Sequence, residues 1–375
     1  MDLDLTAEQE LLRETVRGIC ARHAGLTVVR QMEDDPLGYP EKFWLQLADL
    51  GLLGLTLAEE YGGSGMSMLD AVIVYQELGR ALAPSPHFVS SVVSGSAIAL
   101  AGTDQQRQEW LPRISAGEVI VTPAWLEPGG GFGPVGVQLQ AAADGEGWRL
   151  SGTKRHVLFA GAATRLLVLA RAGADIVLLL VDPAAPGVEL TQQLTVGSDT
   201  QYRVDFNDVR VPAGALVGEP GDKWPAWDEV MHDAIILLAA QAVGGARYAL
   251  DITVQYAKDR HQFDKPLGAF QAIAHYLSDA VTAVDGAETL VFEAAWARSA
   301  GRPVSRLAPM AKLFACKTYR DVTAMAQQVF GGVGFTLDYD VQLYFRRAKQ
   351  LQLSWWDDRY LEELIAADVL DTVGS

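Results

Sequence analysis

Cysteine is nearly absent: the 375 residues hold two, Cys20 and Cys316, far apart and each set in an apolar helical pattern. That excludes a disulfide-stapled scaffold and leaves two buried, reduced thiols as the expectation, with no metal site. Basic residues are scarce too, 30 Lys and Arg against 47 Asp and Glu, for a formal charge of −17. Nucleic acid and anionic membrane both reward clustered Lys and Arg, so neither is an expected partner. A polyanionic ligand then needs a local basic patch working against the overall field. Long apolar runs are missing as well. The longest, such as Ile235–Val243, fall far short of the about 20 residues that span a bilayer. The opening MDLDLTAEQE is acidic and lacks the charged-then-apolar layout of a signal peptide. A soluble, cytoplasmic protein is expected.

What is present is a large apolar fraction, 49%, enough for packed interiors. The length exceeds what one core usually serves, so two or three domains are expected. Residues 1–118 read as helices. Thr6 precedes an acidic first turn, and apolar residues then recur at Leu11, Leu12, Val16 and Ile19. Further helices are expected at Lys42–Leu50, Met68–Leu82, Val89–Ala101 and Asp104–Ile114, with turn chemistry at Tyr61–Gly65 and Ala83–Pro86. The texture changes over 119–222. Gly and Pro cluster at Pro128–Gly136, and β-rich stretches follow at Trp148–Ser151, Leu166–Ala170, Ile176–Val181 and Tyr202–Val211. Short strands between turn residues predict an antiparallel sandwich or barrel. Over 223–375 the helical period returns in four long segments, Trp227–Asp259, Gln271–Ala300, Ser305–Phe330 and Asp340–Ala367, which suggests a four-helix bundle and suits an oligomer core. The fold class is therefore α+β, in the order helical, β, helical.

Seven strings now carry a resemblance: Gly51–Gly65, Glu127–Gly131, Leu150–Ala162, Asp208–Gly221, Arg260–Gln271, Gln328–Phe335 and Arg346–Lys349. In this order and spacing the chain resembles the acyl-CoA dehydrogenase family over essentially its whole length. The resemblance implies FAD as cofactor, an acyl-CoA substrate, and an electron acceptor such as an electron-transfer flavoprotein. The implied reaction takes a proton from Cα with a carboxylate base while Cβ passes hydride to the flavin. It also implies an FAD shared between subunits, its ring on one β-domain and its ADP half on the neighbour's bundle.

The implied ADP-side contacts are present: Arg260 for the pyrophosphate, Gln262, Phe263 and Gln271 beside it, and Gln328, Gly331 and Gly332 of the QxxGG element. A guanidinium offers fixed donors to phosphate, and glycines admit backbone close to a nucleotide. The ring-side contacts are not. Two hydroxyl positions read Leu126 and Phe132, and a Trp-Ile-Thr strand reads His156, Val157, Leu158. Apolar side chains cannot replace hydrogen bonds to a ring edge. The base positions read Trp355 in one arrangement and Ala234 or Ile235 in the other, none able to accept a proton. Asp357 and Asp358, or Glu229 and Asp233, lie nearby as displaced candidates. Asp357 and Asp358 also suit a helix cap, and Asp233 is turned about 100° from the base position. No catalytic residue is therefore assigned. The pattern resembles the base-lacking subunits of heterotetrameric, steroid-catabolism acyl-CoA dehydrogenases of actinobacteria. It implies a paralogous catalytic partner, two copies of each chain, and a site completed in trans. A self-sufficient flavoenzyme with a displaced base, or a structural relative without flavin, stands as the alternative.

Overall fold

The computed structural model describes residues 4–370. The chain runs through helices α1 (Ala7–His23), α2 (Leu26–Met32), α3 (Glu41–Asp49) and α4 (Met68–Arg80), then α5 (Gly95–Ala101) and α6 (Asp104–Ser115). Thr6 caps α1 as expected: its hydroxyl accepts from the Gln9 amide, and the Gln9 side chain answers to the Thr6 amide. The helix expected at Val89–Ala101 is split, because Phe88–Ser94 is wound as a π-helix before α5 begins. It presses Ser90, Ser91 and Ser94 into the interior, where a β-rich or Leu-rich stripe would announce itself and serines do not.

Strands β1 (Val121–Ala124), β2 (Gln140–Asp144), β3 (Gly147–Leu158), β4 (Arg165–Ala172), β5 (Asp175–Val181), β6 (Val188–Gln193) and β7 (Gln201–Val211) form one seven-stranded sheet. Its order is β1-β4-β2-β3-β7-β6, with β5 on β4. The long ladders β2–β3, β3–β7, β4–β5 and β6–β7 are antiparallel, as the sequence implies. The pairing of β1 with β4 is parallel, and β2 meets β4 the same way at one residue pair. Neither pair is joined by a hairpin, so no tight turn forces the strands to reverse. Alternate residues such as Val157, Val204, Phe206 and Val209 fill a separate core inside this domain.

The last domain holds α7 (Trp224–Asp259), a hairpin of β8 (His261–Gln262) and β9 (Lys265–Pro266), α8 (Gln271–Ser299), α9 (Leu307–Phe330), α10 (Val341–Leu353) and α11 (Asp358–Leu370). The single helix expected over Asp340–Ala367 is broken in two. At the break Trp355 and Trp356 adopt φ of 55° and 72°, left-handed backbone that bulky residues rarely take. Buried Lys312 on α9 holds the break, donating to the Leu351 carbonyl at 3.1 Å and the Trp356 carbonyl at 2.8 Å. Helix α7 contains the Ile235–Val243 run and, at 36 residues, is long and apolar enough to cross a membrane; 72% of its most apolar window is buried in the protein, the mark of a core helix. It crosses α4 at very short range. A Cβ on Gly79 or Gly244 would meet the opposing carbonyl at about 2 Å, so only glycine fits at the crossing. Cys20 and Cys316 are free and buried, as expected, and burial pushes the Cys20 thiol up to about 12.

Candidate functional site

A cleft of 640 Å³ opens where the first helical domain, the sheet and the bundle meet. Its inner wall is aromatic. Trp355 stands edge-on to Phe88 at 4.9 Å between ring centroids and stacks on Trp125 at 5.7 Å; Phe132 lies 5.9 Å from Trp125 and 5.7 Å from Tyr360. Leu126, Leu158 and Leu238 complete the apolar lining. The left-handed turn before α11 is what delivers this wall, since it points two consecutive indoles inward, with Trp356 fully buried and Trp355 only 6% exposed.

Two carboxylates line the cleft, and each is already held. Glu127 accepts from Lys154 Nζ at 2.6 Å and from the Gln138 and Leu139 amides at 2.9 Å. Lys154 is buried, and desolvation lowers its pKa to about 8 against the pull of Glu127. Asp199 pairs with buried Arg347 at 2.9 Å and accepts from Gln350 at 2.7 Å. Arg346 donates to Glu33 and to the Val196 carbonyl. Arg346, Arg347 and Gln350 fasten the bundle to the sheet domain, Lys154 ties the loop after β1 to β3, and among the described residues each carboxylate lining the cleft is held by a cation.

The displaced candidates are placed elsewhere. Asp233 and Glu229 both accept from Arg298 on α8, at 3.0 and 2.9 Å, and neither lines the cleft. Burial raises the Asp233 pKa and Arg298 opposes the rise. Asp357 accepts from the Tyr360 amide at 3.0 Å, the capping role its position suggested, and Asp358 accepts from Gln352. Ala234 and Ile235 are fully buried, and Val157 points into the sheet domain's core. His156 lines the cleft with φ 54° and shares a hydrogen bond with Gln201 at 3.1 Å.

Arg260, Gln262 and Phe263 do not reach this cleft. They sit at the end of α7 and on the β8–β9 hairpin, whose tip, Phe263 and Asp264, takes φ of 52° and 62°. Phe263 is 85% exposed. The Arg260 side chain is exposed and, among the described residues, has no hydrogen bond or ion pair. Gln271 opens α8 beside the hairpin, and Gln328 is exposed near the end of α9. Gly331 follows at φ 68°, and a Cβ on it or on Gly332 would meet nothing within 4 Å.

Residues 6–118 match the acyl-CoA dehydrogenase N-terminal domain, 123–209 the middle domain and 224–367 the C-terminal domain. The chain belongs to the acyl-CoA dehydrogenase family. Members are FAD-dependent oxidoreductases that dehydrogenate acyl-CoA. A probable acyl-CoA dehydrogenase of Bacillus subtilis is 30% identical over 99% of this chain and all of its own. The Tcur3481–Tcur3483 steroid acyl-CoA dehydrogenase, solved as a variant, superposes with a TM-score of 0.87 at 31% identity, covering 98% of this chain and 99% of its own. The ChsE4–ChsE5 complex of Mycobacterium tuberculosis gives 0.88 at 28%, with the same coverage.

FAD fits one half of what this chain offers. An exposed guanidinium with no hydrogen bond or ion pair among the described residues, and an open Gly-Gly turn after α9, suit a pyrophosphate and its nucleotide. The cleft wall offers Leu126, Phe132 and Leu158 where a flavin edge needs donors, and that half does not fit. Sequence reasoning missed Lys154, Lys312 and Arg347, the buried cations that build the cleft. A signal existed for two of them: Lys312 falls on the apolar stripe Ala308–Ala315–Tyr319, and Arg347 on Leu343–Ala348–Leu351.

Proposed function

We propose that this chain is the non-catalytic subunit of an FAD-dependent acyl-CoA dehydrogenase and completes the ADP half of a partner's FAD site. One observation carries the reading: both carboxylates lining the cleft are consumed by structural cations, while Arg260, outside the cleft, has no partner among the described residues. A dehydrogenase base must be free to accept the Cα proton. The partner is a paralogous chain with the base and ring contacts, two copies of each forming the assembly in the cytoplasm, with an electron-transfer flavoprotein as acceptor. Relatives described as a steroid enzyme and as a two-component complex support a paired arrangement and a bulky, steroid-derived acyl-CoA. Within the pair this chain's Arg260, with Gln262, Phe263, Gln271, Gln328, Gly331 and Gly332, orients the adenine dinucleotide. The flavin itself supplies the hydride chemistry from the partner's side.

The test is to express the chain alone and with its paralogue. Alone it is colourless and inactive with acyl-CoA and an artificial acceptor; together the preparation is yellow and turns over. A yellow preparation of this chain alone that bleaches with an acyl-CoA overturns the reading in favour of a self-sufficient flavoenzyme.

A further inference from the structure

Helices α10 and α11 are each 13 residues long, yet they are attached very differently. In α10 eight side chains are buried, from Val341 to Gln352; in α11 only Leu361 is. Beyond Leu361, α11 leans on Trp356 and Phe132 through the Tyr360 ring. Near its end Asp368 meets Arg306 at 3.8 Å and the Ser305 hydroxyl at 3.4 Å, part-exposed contacts that hold little. The turn before α11 is strained. Trp355 and Trp356 both keep left-handed backbone, which bulky residues hold only where their surroundings impose it. Lys312 Nζ imposes it here, clamping the Leu351 carbonyl in the last turn of α10 and the Trp356 carbonyl beyond the break. No glycine or proline lies between Val341 and Leu370, so nothing local forbids the single helix that the apolar period predicts.

We infer that α11 is a hinged strap that swings about residues 354–357, with Lys312 as its latch. Closed, it lays Trp355 against Phe88 and Trp125, and Tyr360 against Phe132. Open, it relaxes the strained turn and withdraws Trp355 from the inner wall of the cleft. Burial of two indoles makes the closed form the major one. Opening breaks the two Lys312 hydrogen bonds and uncovers the indoles and Leu361, but leaves α7–α10 and the sheet packed. It is therefore a local event that needs less free energy than global unfolding. The device belongs to this chain alone and does not depend on where the flavin lies.

Native-state hydrogen exchange of the full chain, repeated over a range of low denaturant concentrations, tests the strap. Amides over Glu362–Leu370 exchange at least about tenfold faster than those over Ala234–Leu250 of α7, with a shallower dependence on denaturant because less surface is exposed. Lys312→Met speeds exchange in α11 by about tenfold or more, the scale of a charge-assisted hydrogen bond lost from the closed form alone. Val204→Ala, in the separate core of the sheet domain, leaves the α11 rate unchanged. Exchange in α11 as slow and as denaturant-sensitive as in α7 overturns the inference. So does an α11 rate that follows Val204→Ala or ignores Lys312→Met. If Lys312→Met does not fold, the wild-type slopes and Val204→Ala decide alone.

Discussion

Trp355 and Phe263 stand in two contrasting places, the inner wall of the cleft and the tip of the β8–β9 hairpin. Trp355 is 6% exposed, packed on Phe88 and Trp125, among carboxylates that each hold a cation. Phe263 is 85% exposed on a two-strand hairpin, beside an arginine with no partner. Both stand in left-handed backbone, at φ 55° and 52°. At the first end the strain is offset by burying two indoles; at the second, positive φ at both Phe263 and Asp264 makes the tight turn that joins β8 to β9. The contrast separates a finished interior from a surface that still needs an occupant. The carboxylates at the cleft are each held by a cation within the chain, whereas the Arg260 guanidinium beside the hairpin has no hydrogen bond or ion pair among the described residues.

Truncation at the two ends gives the largest difference in stability. Trp356→Ala removes a fully buried side chain and is expected to cost about 3–5 kcal/mol, while Phe263→Ala stays within about 0.5 kcal/mol. Chemical denaturation of the two variants checks this, and equal losses erase the contrast.

Acidity sharpens it next. Lys154 has its pKa lowered by burial to about 8, below its ordinary 10.5. A group whose folded pKa is depressed contributes stability that is fully present above the unfolded value and lost as pH falls through the folded one. The wild type should therefore gain roughly 2–3 kcal/mol over Lys154→Met between about pH 8 and pH 10.5. Parallel pH curves for the two proteins contradict a buried, desolvated cation behind the cleft.

The smallest effect concerns the chemistry. Asp233→Asn and Asp357→Asn each leave turnover of the paired enzyme within about twofold, since those carboxylates answer to Arg298 and to the Tyr360 amide. A true base costs about 10²–10⁴ in rate when neutralised, with flavin content unchanged. Steady-state kinetics with a measured flavin content separates the two.

Much of this was legible in the sequence, for physical reasons that differ by region. Thr6 and its acidic first turn fixed the start of α1 because capping is a local hydrogen-bond event. The β-rich stretches identified β3, β4, β5 and β7; β7 alternates as a half-buried strand does, while β4 and β5 are short continuous apolar runs buried on both faces. The direction of β1 against β4 was not legible, since nothing local sets it. Nor was the break at Ser354–Asp357: neither tryptophan is a helix breaker, and the turn is held by Lys312 more than 40 residues away in the chain. At the site, the loss of ring donors at Leu126, Phe132 and Leu158 could be read directly. That Glu127 and Asp199 are both occupied could not, because their partners come from other elements.

In the proposed pair this chain lends its hairpin to a flavin whose ring lies on the partner. Arg260→Ala in this chain, copurified with an unaltered partner, tests that directly by the FAD bound per complex. Loss of a charge-assisted contact worth about 1.5–3 kcal/mol should weaken FAD binding about tenfold or more, with the assembly intact by size. Full flavin in the Arg260→Ala complex contradicts the account.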